Sequence, residues 1–436
     1  MLFFLCCIFF GFKMMGGGVA PNFFFFFFFF MNFKMPLYNF FLNFSHFFGM
    51  KNFFYLKFIL GVWIISFGYK ASNNLKLNFY MFFNFFMFVF FLIFKFCFFS
   101  KKFFFFYIFF EITLIPILIL IFGWGDPYAP FKAGFYLVIY MIFFSLPFFF
   151  CLLSLNNLNF IFMYYHNEIF FLNVYFYLFL MTIFLVKMPL SSSHMSLPSA
   201  CVPTPIAGSM ILAGIMLKLG GFGFYHILML VYLINIKLNF FFIVICLMGM
   251  FILSLICFFQ SDLKILIAYS SVVHMGLVII GLLTLNNWGY SGSLLLMFGH
   301  GLCSSGLFCL SNICYLRFKS RSLFLNKGLI NIFPLLSFWW FLLCSSNMSF
   351  PLSLNLFGEI YLFMSLMIWL DYLYFIYFII MILMFLYSLY LFLYSQYGKM
   401  FNNMNYMIYI NLSEYFLLFL HWIPLNLFFL LMELFI

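Results

Sequence analysis

Apolar runs long enough to cross a membrane follow one another along almost the whole chain. They lie near 55–70, 79–100, 103–122, 134–153, 169–186, 205–234, 240–259, 265–284, 291–313, 331–346, 352–370, 373–396 and 415–435. One helical crossing takes about 20 residues, and within lipid every backbone polar group must be satisfied internally. Helices and closed barrels are the only structures that meet this condition. A barrel would show shorter segments alternating with polar lumen residues, a pattern these runs lack. Only 19 basic and 8 acidic residues occur among the 436, too few to clothe a large soluble domain. The first fifty residues add one or two spans, punctuated by Lys13, Gly16–Gly18, Pro21 and Lys34. The expected architecture is an all-α polytopic membrane protein of about fourteen helices at this span length. Connections are short and no linker stands out, so residues 1–436 read as a single transmembrane bundle. The opening MLFFLCCIFFGF has no cationic region before its apolar run and reads as a first span, not a cleaved leader.

Phenylalanine occurs 84 times, including the unbroken run Phe23–Phe30. Phe and Leu are alike to lipid, so this composition reads as Phe replacing Leu on lipid-facing surfaces. Basic residues are not clustered around exposed aromatics, which argues against a nucleic-acid partner. Lys101, Lys102, Arg317, Lys319, Arg321 and Lys327 mark loops on the membrane face that retains positive charge. The eleven cysteines form no CxxC pair and mostly lie in apolar runs, where they behave as small hydrophobes. No GxGxxG, P-loop or HExxH is present, so neither a nucleotide, a cofactor nor a metal has local support.

Against this background a few charges stand where lipid is expected. Lys218 lies in the stretch Ile206–Leu219 beside Gly208, Gly214, Gly220 and Gly221, small residues that allow helices to approach closely. A charge at mid-membrane costs about 2.5–3.5 kcal/mol or more, so such residues face a bundle interior or a wet cavity. A lysine near a helix end can instead snorkel to the interface. Glu111 lies nine residues beyond Lys102, about 13 Å along a helix, and Pro116 follows to loosen that helix. Neither Glu111 nor Lys218 has a local partner, and the two are expected to face one another or share a water chain as a switchable pair. His274 and His300 sit centrally in apolar helices, where an imidazole is either a proton relay or a satisfied core group. Glu359 follows eight residues after Pro351. Hydropathy alone makes Gln260–Lys264 a surface turn with Asp262 capping the next helix. The other acidic residues and histidines read as ordinary end or turn residues.

Two interruptions bear on these charges. Residues 187–205, KMPLSSSHMSLPSACVPTP, form either a loop or a segment dipping into the bundle. Residues 345–351, SSNMSFP, form either a turn or the break of a discontinuous helix that exposes backbone at depth.

The stretches EITLIPILILIFGWG (111–125), VKMPL with His194, PIAGSMILAGIMLKLGGFG (205–223), QSDLKILIAYSSVVHMG (260–276), HGLCSSGLFCLSN (300–312), SRS (320–322), SFWWFLLCSSN (337–347) and SLNLFGE (353–359) are distinctive. In this order they resemble the NADH dehydrogenase subunit 4 family, mitochondrially encoded core subunits in the membrane arm of respiratory complex I. The resemblance implies an antiporter-like fold with two inverted five-helix repeats and discontinuous helices. The first half would run from about 100 to 235, the second from about 236 to 396, with 397–436 as a C-terminal helix region. It implies proton translocation in NADH:ubiquinone reductase along an axis of Glu111, Lys218, Lys264, His274, His300 and Glu359. Lys264 thereby becomes a buried site instead of a turn residue. NADH, FMN, iron–sulphur clusters and ubiquinone would be handled by other subunits, and this chain would hold none of them. Implied partners are membrane lipids and other membrane-arm subunits, especially the antiporter-like subunits 2 and 5, in the mitochondrial inner membrane. Where the family carries Lys-Ala-His-x-Glu-Ala-Pro, this chain reads Ser199-Ala200-Cys201-Val202-Pro203-Thr204-Pro205. Three loop charges are therefore missing together. The same axis would also suit a monovalent cation/proton antiporter, and a non-catalytic scaffold would tolerate its neutralisation.

Overall fold

A computed structural model of the chain describes residues 52–72, 79–100, 102–125, 130–156, 174–190, 193–230, 232–399 and 409–430. The spans expected in the first fifty residues, and the reading of the N-terminus, lie outside these. In chain order the longer elements are α1 (Asn52–Ser72), α2 (Tyr80–Phe99), α3 (Phe103–Ile112), α4 (Leu114–Trp124), α5 (Pro130–Asn156) and α6 (Val174–Lys187). A short α7 (Ser196–Cys201) leads into α8 (Ile206–Ile211), a π turn (Leu212–Met216) and α9 (Leu217–Leu230). There follow α10 (Tyr232–Phe258), α11 (Leu263–Leu283), α12 (Asn287–Phe318) and the single turn α13 (Leu329–Ile332). The chain closes with α14 (Pro334–Asn347), α15 (Leu354–Trp369), α16 (Tyr374–Gln396) and α17 (Leu412–Leu427). Among the described residues, nine helical stretches are long and apolar enough to cross a membrane, and α6 and α15 are shorter apolar helices. The all-helical, multi-pass architecture expected from hydropathy is therefore present.

Burial sorts the helices by function. The α8–α9 stretch, α11 and α12 are enclosed along almost their whole length, and α12 touches α1, α8, α11, α14, α15 and α17. By contrast α5 presents Phe135, Ile139, Phe143 and Phe150 outward, a stripe suited to lipid. The central helices are the ones that carry polar groups. Gly292 and Gly358 bring α12 and α15 together: a Cβ on Gly358 would stand 2.9 Å from the Leu296 nitrogen, and one on Gly292 3.0 Å from that of Leu362. The helix α1 runs antiparallel to α8–α9, with Gly68 beside Ala207, Ile64 against Gly214, and Leu60 at the level of Lys218.

Helical regularity fails at three places, each with a local cause. Pro116 has no N–H to offer, and the helix divides at Thr113, just after Glu111. The π turn at Leu212–Met216 falls among small residues immediately before Lys218. Between α14 and α15 the chain passes through Ser349 (φ 59°) and Leu352 (φ 73°), left-handed positions that cost non-glycine residues about 1–3 kcal/mol each.

Candidate functional site

The π turn decides where Lys218 points. A wide turn disturbs the regular helical hydrogen-bond ladder, and such turns recur at functional sites. The Lys218 Nζ donates to the Ala213 carbonyl at 2.6 Å and lies 3.1 Å from His300 Nδ1. With lysine as donor, that imidazole nitrogen is the acceptor. The amine is buried, so the interior reading holds over the snorkelling one.

From His300 the polar groups continue across the bundle. The rings of His300 on α12 and His274 on α11 have centroids 5.2 Å apart at an interplanar angle of 37°. The Nδ1 of His274 stands 3.6 Å from Glu359 Oε1 on α15, an ion-pair distance when the imidazole is protonated. On the other side of the same ring, Nε2 lies 3.4 Å from the Tyr387 hydroxyl of α16. Tyr377 donates to the Glu359 carbonyl at 3.0 Å. Lys218, His300, His274 and Glu359 are all buried. Four helices thus bring together four of the six residues singled out in the sequence.

Glu111 and Lys264 stand apart from that chain. The charge that acts on Glu111 is that of Lys187, at the end of α6. The Lys187 ammonium lies 4.1 Å over the Phe110 ring and makes no hydrogen bond among the described residues, and its Cβ packs at Gly220, two residues from Lys218. Lys187 therefore packs beside α9 near Lys218 while its charge acts on Glu111. Sequence reading assigned it to the start of a loop. A lone lysine ending thirteen residues of α6 without another charge was the available signal.

Lys264 lies in the first turn of α11 and is buried, so the surface-turn reading fails although the turn itself exists. Its Nζ donates to the carbonyls of Thr204 at 3.2 Å and Val202 at 3.4 Å. Arg321 donates to the same Val202 oxygen at 2.8 Å. The SRS element is itself stitched to the start of α11: Leu263 N–H donates to the Arg321 carbonyl and Leu323 N–H to that of Ser261. Residues 187–205 are thus no ordinary loop. The helix α7 buries Leu197, Pro198, Ala200 and Cys201, and the carbonyls just beyond it hold two cations.

The break at 345–351 separates two helices and is packed inside protein: Ser346 and Asn347 are buried, and Asn355 donates to the Ser346 carbonyl at 2.9 Å. Cys303 on α12 reaches the Ser346 hydroxyl at 3.2 Å. Backbone freed by the interruption is met by side chains of the next helix. Among the described residues no cluster of three or more His, Cys, Asp or Glu could hold a metal.

Residues 100–386 match the family described as NADH:quinone oxidoreductase/Mrp antiporter, TM. The chain is 46% identical over 403 residues to NADH-ubiquinone oxidoreductase chain 4 of Ceratitis capitata, covering 91% of this chain and 89% of that one. It is 47% identical over 395 residues to the protein of the same name from Aedes aegypti, covering 89% and 88%. The chain belongs to the NADH-ubiquinone oxidoreductase chain 4 family. Its fold also matches respiratory complex I from Thermus thermophilus with bound NADH, at a TM-score of 0.80 and 20% identity over 89% of this chain and 85% of that one. The Mrp complex from Dietzia sp. DQ12-45-1b matches at 0.81 and 13% identity over 89% and 83%. As a chain 4 family member it is a multi-pass membrane protein, and its fold is the antiporter-like one of the matching family.

Proposed function

We propose that this chain translocates protons across the mitochondrial inner membrane, driven by NADH oxidation and quinone reduction in other subunits of the complex. The observation that carries this reading is the buried series Lys218, His300, His274 and Glu359 on four separate helices. Each member can gain or lose a proton, and the Leu, Ile and Phe around them exclude bulk water. Lys218 passes a proton to the His300 nitrogen it already touches. Transfer onward to His274 requires a ring rotation or an intervening water across the 5.2 Å between centroids. Glu359 then receives the proton from the imidazole beside it.

The Glu111–Lys187 pair supplies the control. While Glu111 is ionised it offsets the Lys187 charge. With Glu111 neutral, the uncompensated charge, carried by a side chain packed near Lys218 at Gly220, would favour release of the Lys218 proton towards His300. Like charges within about 4–6 Å disfavour one another strongly, and inside a protein they are screened little. Lys264, held on the Val202 and Thr204 carbonyls, is the proton-exchanging group at the end of the bundle nearest Arg321. The halves near 100–235 and 236–396 act as the two antiporter-like units, and the antiporter-like subunits 2 and 5 are the neighbours along the arm. NADH, FMN, the iron–sulphur clusters and ubiquinone belong to other subunits.

The test is Lys218→Met in the assembled complex, with NADH oxidation and proton uptake measured separately. Proton uptake per NADH is expected to fall while oxidation and assembly persist. An unchanged ratio overturns the reading and leaves a scaffold. Sodium-dependent transport by the isolated chain would instead favour a cation antiporter.

A further inference from the structure

Lys57 is a buried lysine of α1 to which neither the axis nor any stretch of the family resemblance assigns a role. Its Nζ has no hydrogen-bond partner among the described residues and lies 5.6 Å from the centroid of the Phe222 ring. No described carboxylate neutralises it. Removing one member of a buried ion pair is damaging, but among the described residues Lys57 belongs to none, and a methionine is an unbranched, adaptable apolar replacement for it. Nor does it snorkel, because the amine itself is enclosed.

Register places this amine on a line with Lys218. Along the antiparallel contact, Gly68 meets Ala207, Ile64 meets Gly214, Leu60 reaches the level of Lys218, and Lys57 meets Phe222. Phe222 follows Lys218 by four residues and so lies one turn further along the same face of α9. Lys264, on the Thr204 carbonyl, lies on the opposite side of Lys218, just before α8 begins. Beyond Phe222 in the same direction stands His226, whose ring packs against Phe222 and against Phe103 at the start of α3. Lys102 follows immediately, at the end of that helix. The order from one end to the other is Lys264, Lys218, Lys57 with Phe222, His226, and then the helix end.

We propose that Lys57 is a further proton-carrying residue, linking Lys218 to the membrane face at which α1 begins, with the Phe222 ring as the apolar plug beside it. This inference rests on the proton-translocating reading above. It requires the amine to exchange a proton with water admitted when the ring shifts; a fixed positive charge would not serve.

The experiment uses the assembled complex in sealed membranes, with Lys57→Met, Lys57→Arg and Lys218→Met compared for assembly, NADH oxidation and proton uptake. A positioned proton carrier is worth about 100-fold or more in the step it serves. With Lys57→Met, proton uptake through this chain is therefore expected to fall at least about 100-fold, to background, while assembly and oxidation are retained. Lys57→Arg is expected to fail equally, because a guanidinium keeps its proton. Normal proton uptake in Lys57→Met alongside loss in Lys218→Met overturns this inference and leaves the axis intact. Normal uptake in both overturns the axis itself. Failure of Lys57→Met to assemble, or rescue of uptake by arginine, would show the amine to be a structural charge and equally overturn the inference.

Discussion

Nζ of Lys218 lies 3.1 Å from Nδ1 of His300, across 82 residues of sequence and the interface between α9 and α12. The contact depends on backbone irregularity. The π turn at Leu212–Met216 precedes the lysine, and the Ala213 carbonyl within it gives the amine a second anchor at 2.6 Å. Gly301, next to His300, leaves room for the lysine stem: a Cβ there would stand 3.4 Å from Lys218 Cε. Two helices therefore meet at a lysine that forms no ion pair among the described residues.

His300→Gln separates hydrogen bonding from proton transfer. A glutamine carbonyl can still accept from Lys218, but an amide does not relay a proton. The complex is expected to assemble and oxidise NADH normally while proton uptake is lost, by about 100-fold if the step is fully dependent on the imidazole. Proton uptake at the unsubstituted level would reduce His300 to a packing residue.

The pairing of Glu111 with Lys187 is open to a double-mutant cycle. Glu111→Gln and Lys187→Met are each expected to impair proton uptake, and their combination to do little more than either alone. Residues in contact show coupling of about 0.5–3 kcal/mol in such cycles. Coupling between Glu111 and Lys218 that exceeded coupling between Glu111 and Lys187 would reverse the assignment made from the structure.

Much of the bundle was legible from hydropathy, because lipid permits so few backbone solutions. The break after Asn347 was visible as a polar interruption, and the axis histidines as polar groups in oily helices. Partner identity was not legible. Lys187 and Lys218 are equally isolated in sequence, and only the packing of α6 on Gly220 shows which one attends Glu111. Lys264 reads as a turn residue because its burial comes from α7, a segment distant in sequence that carries no charge. Tyr387 is one tyrosine among 28, so nothing local marks it as the neighbour of His274. Nothing in the sequence signals that Lys187 acts on Glu111, because depth in the membrane is a single coordinate and several cations can share it.

Gly358→Val should disturb Glu359 without touching it chemically. A Cβ at Gly358 would press on the Leu296 backbone at 2.9–3.1 Å, where no flexible side chain can give way. Overpacking of this kind typically costs about 1–3 kcal/mol, and a backbone contact places it at the upper end. The expected result is a lower thermal midpoint of the purified complex together with reduced proton uptake. A stable, fully pumping variant would show that α15 can move off α12 freely.

Arg317 and Glu414 were unremarkable in sequence, yet they form a buried ion pair joining α12 to α17 at 2.5 Å. Glu414 also completes a capping box with Asn411 at the start of α17, so one carboxylate serves both the helix end and the arginine. Removing either partner breaks a buried ion pair, which costs about 3–5 kcal/mol. Arg317→Met and Glu414→Leu are thus each expected to loosen α17, read as faster hydrogen exchange along Leu412–Leu427 and a lower thermal midpoint. Combining them should recover most of the loss, since apolar groups of similar volume often replace a buried pair at little cost. Glu414→Leu also removes the capping acceptor, worth about 0.5–2 kcal/mol, so recovery is expected to fall short by roughly that amount. A double variant as damaged as the sum of the singles would show that the two residues act independently, and that α17 is held by its apolar face alone.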